Sequence, residues 1–206
     1  KKEFGSHQWV TVVGGSKFVP PNEHTWSVPN PSGEQFREIK LKLVTNYGSN
    51  SRYSAPKTID INRPTWIVTH GWNSSSIGNE NFRNLAQSIG DYRDGDQVLK
   101  LDWNTATNTG LNLHQAATWI EPVAQSVARI LINWGFNANQ INLVGHSLGA
   151  YVGFEIARNI YTKNNQANSL VALDPAANTL WGYSNNEANV DWRLYSEDSL
   201  SLLTSL

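Results

Sequence analysis

The sequence predicts an α/β fold built on a mostly parallel, doubly wound sheet. Two observations carry the prediction. Residues 65–69, 97–101, 141–144 and 169–173 form short runs rich in Val, Ile, Leu and Trp, bounded by Gly, Asp or Asn, as suits strands buried on both faces of a parallel sheet. Between them lie helix-like segments at 79–92, 113–134 and 150–163, so strand and helix alternate as in βαβ units.

Taken in order, residues 1–35 are rich in Gly, Pro, Asn and Ser and read as irregular structure around one strand at 8–13. Residues 36–45 place Ile39, Leu41 and Leu43 at alternate positions, the period of a half-buried strand, and 46–56 form a polar connection. In the segment 113–134, Leu113, Ala116, Ala117, Ile120, Val123, Val127, Ile130 and Leu131 recur at helical spacing. Pro122 is expected to kink that helix or start a second one, and Gly135 to end it. A last strand is expected at 192–195.

Composition bounds the function. The 206 residues suit one domain with a sizeable core, and 39% hydrophobic with 16% charged content argues against disorder. A net charge of -1 gives no basic face for nucleic acid, and no run of about 18 apolar residues predicts a transmembrane helix. With no cysteine, disulfides, thiol catalysis and Cys-based zinc sites are excluded. With no methionine and no signal peptide at Lys1, the chain reads as a processed product or a fragment. The nine Trp read mostly as packing residues.

The chemistry centres on Gly145-His146-Ser147-Leu148-Gly149. A Gly-x-Ser-x-Gly pentapeptide alone says little. Here an apolar run precedes it and a helix-like segment opening with the small Ala150 follows it, the strand–turn–helix context of the nucleophile elbow in an α/β-hydrolase. Such a serine stands exposed at the carboxyl end of its strand, with the next helix aiming its N-terminus at a developing oxyanion. In this fold the acid and then the base follow the serine in chain order. Asp174 is the best acid, because it directly follows the run 169–173; Asp191 and Asp198 are weaker, and a loop-capping role before Pro175 is the bland reading. The oxyanion hole is expected from the backbone N–H groups of Leu148 and Trp72, the latter in the loop His70-Gly71-Trp72. The His70 imidazole reads as a structural group hydrogen-bonded under that loop.

Thr69-His70-Gly71-Trp72, Leu101-Asp102-Trp103, Val144 through Ala150, and Leu173-Asp174-Pro175-Ala176 occur in that order, and together they resemble the animal-type lipase family of pancreatic and lipoprotein lipases and phospholipases A1. The likeness runs from about Phe36 to Ala176, with a weak continuation to Asp198. It implies an α/β-hydrolase fold, Ser147 as nucleophile, Asp174 as triad acid, Trp72 and Leu148 as oxyanion donors, and a structural Asp102-Trp103. The chain departs from the family in lacking disulfides and in carrying Trp at position 72. No cofactor is required. Many members bind calcium through acids after the triad acid; Glu187 and Asp191 fall in that region, but their spacing does not register with a site and a polar loop accounts for them.

The base is the largest departure. His7, His24, His70, His114 and His146 all precede Asp174, so the catalytic histidine and the lid are expected beyond Leu206, with the chain a partial α/β-hydrolase domain lacking its C-terminal part. His7 and His24 read as surface residues, and His146 points the wrong way for a base. Alone, the chain is expected to be nearly inactive and prone to self-association through an exposed sheet edge.

The leading function is a serine ester hydrolase, a lipase acting on triacylglycerol or phospholipid, secreted, with a lipid or ester substrate and contact with a lipid interface. The alternative is a non-catalytic, lipase-like lipid-binding or storage protein, against which Ser147, Asp174 and both elbow glycines argue. A peptidase or thioesterase on the same fold is disfavoured by the motifs at Asp102-Trp103 and Asp174-Pro175. Asn73-Ser74-Ser75 fits a glycosylation acceptor, a common triplet of little weight.

Overall fold

A computed structural model describes residues 9–12, 15–18, 23–28, 39–46, 59–75, 77–110, 112–176 and 190–204. Two strands, β1 (Trp9–Val12) and β2 (Gly15–Phe18), make a separate antiparallel ribbon. The main sheet has seven strands: β3 (Glu23–Val28), β4 (Ile39–Asn46), β5 (Thr65–Thr69), β6 (Gln97–Asp102), β7 (Ile141–His146), β8 (Ala167–Leu173) and β9 (Ser196–Leu202). Their spatial order is β3-β4-β6-β5-β7-β8-β9. The five from β6 to β9 run parallel, while β4 lies antiparallel to β6 and β3 antiparallel to β4. This is the α/β sheet the sequence predicted. The N-terminal region differs, holding three strands where one was expected.

Helix α1 (Glu80–Tyr92) covers one face, where Val68, Val98, Phe82 and Ala86 close a small core. On the other face α4 (Ile120–Trp134) and α5 (Leu148–Ile160) pack against Ile67, Leu99, Leu101, Leu143 and Leu170 in the main core. The alternation along β6 explains the division: Leu99 and Leu101 face α4 and α5, while Val98 faces α1. Two short helices, α2 (Asn104–Thr107) and α3 (Leu113–Ala117), connect β6 to α4.

Local chemistry sets the helix ends. The Asn79 side chain caps α1 by accepting the Asn81 N–H. The long segment 113–134 divides at Thr118 and Trp119, so Pro122 becomes the third residue of α4, where its missing N–H has no intrahelical acceptor to lose. Gly135 ends α4 in the left-handed conformation, φ 87°, and the Phe136 N–H turns back to the Leu131 carbonyl.

Two expectations are corrected. Residues 192–195 form a turn, not a strand; the strand follows as β9. Asp191 accepts the Arg193 N–H and starts the turn, and the aromatic residues that suggested a strand lie along α5. Trp192 sits 5.5 Å from Tyr151 and 5.7 Å from Phe154, and Tyr195 sits 5.5 Å from Phe154. His24, expected at the surface, is buried, stacked 5.2 Å from Trp26 and edge-on 5.0 Å from Trp134. His7 lies outside the described residues.

Candidate active site

The chain leaves β5 for β6 on one side and returns to β7 on the other. The strand order therefore reverses between β5 and β7, and a crevice opens at their carboxyl ends. The loops after both strands meet there. Ser147 directly follows β7 with φ 54° and ψ -123°, a conformation that L residues adopt only under constraint. The constraint is close packing. A Cβ on Gly145 would stand 2.2 Å from the Gly149 carbonyl oxygen, and one on Gly149 would stand 2.5 Å from the carbonyl oxygens of both Thr69 and His70. Only glycines let α5 start this close to β5 and β7.

The other predicted residues converge on Ser147. In the β7–β8 register His146 pairs with Leu173, so Ser147 and Asp174 leave the sheet side by side, and the Ser147 N–H donates to the Leu173 carbonyl at 3.0 Å. Asp174 also has a positive φ, 46°. Its N–H donates to Leu202 and its Oδ1 accepts the Thr204 N–H at 3.2 Å, which ties the carboxylate to the end of β9. Leu148 is the first residue of α5, and its N–H therefore has no intrahelical acceptor. Gly71 reaches over from β5, where a Cβ would lie 2.8 Å from Ser147 Cβ and 3.3 Å from its Oγ, and Trp72 comes next.

The histidines are placed elsewhere. His70 is fully buried. Its Nε2 accepts the Trp103 N–H at 3.0 Å, so the ring proton is assigned to Nδ1, which donates to the Gly71 carbonyl at 2.8 Å. Trp103 closes the unit by donating its indole N–H to the His70 carbonyl at 2.8 Å. The imidazole braces the loop from below and has no free nitrogen for Ser147. His146 is exposed, its ring 5.9 Å from Phe82 of α1. His114 lies in α3. Among the described residues no imidazole is hydrogen-bonded to Ser147.

Beneath the loop sits Asp102. It accepts from the Ser75 hydroxyl, from the Asn104 N–H at 3.0 Å and from the Ile77 N–H at 3.4 Å. Burial pushes its carboxyl up, but the adjacent His70, the Ser75 hydroxyl and the Asn104 N–H outweigh burial and hold it down at about 2. His70 Nε2 stands 3.8 Å from Asp102 Oδ1, beyond hydrogen-bond distance, so Ser75, Asn104 and Ile77 are the direct donors. Ser75 also accepts the N–H groups of Ile77 and Gly78, which draws both towards the residue that donates to the carboxylate. The Asp-x-Asn spacing at 102–104 hints at the Asn104 bond; nothing in the sequence points to Ser75.

Among the described residues no cluster of acids and histidines could hold a metal ion. Asp191 gives its oxygens to Arg193 at 2.9 and 3.1 Å, and Glu187 lies outside the described residues.

The family model for lipases, described as "Lipase", matches residues 38–199. The chain belongs to this family. Among relatives, it is 35% identical over 128 residues to a phospholipase A1 of Vespula maculifrons, covering 56% of this chain and 42% of that protein. It is 28% identical over 152 residues to a pancreatic triacylglycerol lipase of Oryctolagus cuniculus, covering 71% of this chain and 29% of that protein. The chain thus spans less than half the length of these curated relatives. An α/β serine hydrolase without a lid from Xanthomonas campestris superposes with a TM-score of 0.45 at 16% identity, covering 88% of this chain and 71% of that one. No helix among the described residues of this lipase-family chain is long and apolar enough to cross a membrane.

Proposed function

We propose that the protein hydrolyses lipid acyl esters through Ser147. The observation that carries this reading is the elbow itself: a serine in a strained conformation at a topological switch point, with a carboxylate side by side with it in register. Ser147 Oγ attacks the ester carbonyl. The N–H groups of Leu148 and Trp72 hold the oxyanion, and Asp174 orients the imidazolium formed when a histidine takes the serine proton. None of His24, His70, His114 and His146 is bound to Ser147, so the base is a histidine outside the described residues. Asp174 Oδ1 is held by Thr204, and Oδ2 remains to accept an imidazole N–H. The lipase family and relatives named phospholipase A1 and triacylglycerol lipase support a lipid ester as substrate, reached at a lipid interface outside the cell.

The test is hydrolysis of a short-chain p-nitrophenyl ester by the full-length protein beside its Ser147→Ala variant. The variant should lose about 10⁴-fold or more in turnover. Equal rates would refute Ser147 as nucleophile and leave a lipid-binding role.

A further inference from the structure

We infer that the segment after α2 is a clamp for the oxyanion loop and that Thr109 is its positioning residue. The inference rests on the reading of Trp72 as an oxyanion donor. Three hydrogen bonds run from Trp72 and Asn73 to this segment and to Thr107, the last residue of α2. The Trp72 indole N–H donates to Thr109 Oγ1 at 3.1 Å, the Asn73 N–H to the Thr107 carbonyl at 3.3 Å, and the Asn73 side-chain amide to the Gly110 carbonyl at 2.8 Å. Thr109 is the one side chain among the acceptors.

Its hydroxyl is oriented for the task. It donates its proton to the Asn112 carbonyl at 2.7 Å, so its lone pairs face the indole, which can only donate. Asn112 in turn caps α3, its side chain accepting the Gln115 N–H at 3.0 Å, so the acceptor is anchored to a helix end. Asn73 holds φ 48°, a left-handed conformation that Asn adopts more readily than most residues, and its two bonds to Thr107 and Gly110 fix it there. On the other side of Trp72, Gly71 packs directly against Ser147. Trp72 therefore bridges a contact with the nucleophile and a tether to the clamp. Fixing its indole fixes the carrier of the backbone N–H. An oxyanion donor acts only when held within a few tenths of an ångström of its place, so release of the tether should slow turnover and leave ground-state binding alone.

Thr109→Val removes the hydroxyl and keeps the shape. In the full-length protein it should lower kcat for a p-nitrophenyl ester by roughly 3- to 10-fold, the range of one hydrogen bond, with KM unchanged. Thr109→Ser should restore the rate. Trp72→Phe removes the matching donor and should show the same loss, and the double variant should lose no more than either single one. A wild-type kcat in both single variants, or independent losses that multiply in the double variant, overturns the clamp. Should Thr109→Val fail to fold, Trp72→Phe carries the test, because it leaves the segment after α2 intact. Ser147→Ala assayed alongside separates the two levels. Inactive Ser147→Ala with unimpaired Thr109→Val refutes the clamp alone, and active Ser147→Ala refutes the reading beneath it.

Discussion

Asp102 should make the fold acid-sensitive, and the effect can be worked from its surroundings. Its carboxyl sits at about 2 in the folded chain against 3.8 for the free group. Between those values the unfolded chain binds a proton that the folded chain refuses, so stability rises with pH across that window. The contribution is fully present above pH 4 to 5 and is lost as the pH falls through 3.8 towards 2. A shift of this size is worth about 2.4 kcal/mol at neutral pH, of which about 1 kcal/mol is gone by pH 3 and about 2 kcal/mol by pH 2. Because His70 Nε2 accepts the Trp103 N–H and stands 3.8 Å from Asp102 Oδ1, it donates no hydrogen bond to the carboxylate, and these figures are upper bounds. Asp102→Asn isolates the group from other carboxylates. The amide presents one oxygen and one N–H₂ to three donors, so the variant should be less stable at pH 7 by roughly 1.5–3 kcal/mol. Urea unfolding of both proteins at pH 7, 4 and 3 should show that gap narrowing by about 1 kcal/mol at pH 3. A gap constant from pH 7 to pH 3 would refute the idea that Asp102 is held ionised by its donors.

Three further outcomes follow from the same geometry. Gly71→Ala puts a Cβ 2.8 Å from Ser147 Cβ, and the loop must shift by nearly an ångström; esterase kcat should fall about 100-fold, while Tm drops by only a few degrees. Gly149→Ala meets two backbone carbonyl oxygens at 2.5 Å that cannot rotate away, so the soluble yield and Tm should collapse, and a normal melt would show that the α5–β5 approach is looser than described. Trp103→Phe removes the indole N–H from the buried His70 carbonyl and should cost about 1–3 kcal/mol by urea unfolding.

The parallel strands from β5 to β8 were legible because each carries an apolar run flanked by breakers, whereas β9, polar and mostly exposed, was not. Ile141–His146 and Thr65–Thr69 needed no tertiary information to be recognised. The elbow was legible for a related reason: its glycines answer a steric demand that any strand-to-helix turn of this kind makes. What could not be read lies where distant segments decide. The strand Glu23–Val28 has weak β character by itself and exists because all six of its residues pair with β4. The turn at 192–195 carries a strand-like aromatic run, and only the face of α5 explains why its rings do not alternate. Ser75 and Thr109 look like ordinary loop hydroxyls, and their partners are 27 and 37 residues away.

The proposed nucleophile and acid stand together through register, and this constrains how the site tolerates change. Ser147 and Asp174 each take a positive φ at the end of a parallel strand, and neither conformation is favourable alone. Each is held by its neighbour across the sheet: the Ser147 N–H by Leu173 of β8, and the Asp174 N–H by Leu202 of β9. Strain at one strand end is thus supported by the next strand outward, and β9 secures the acid as the acid's strand secures the serine. A change that loosens β9 should therefore reach the nucleophile only through Asp174. Such a change should disturb the orientation of the base before it disturbs the elbow, whose own support comes from the packed glycines and from β8.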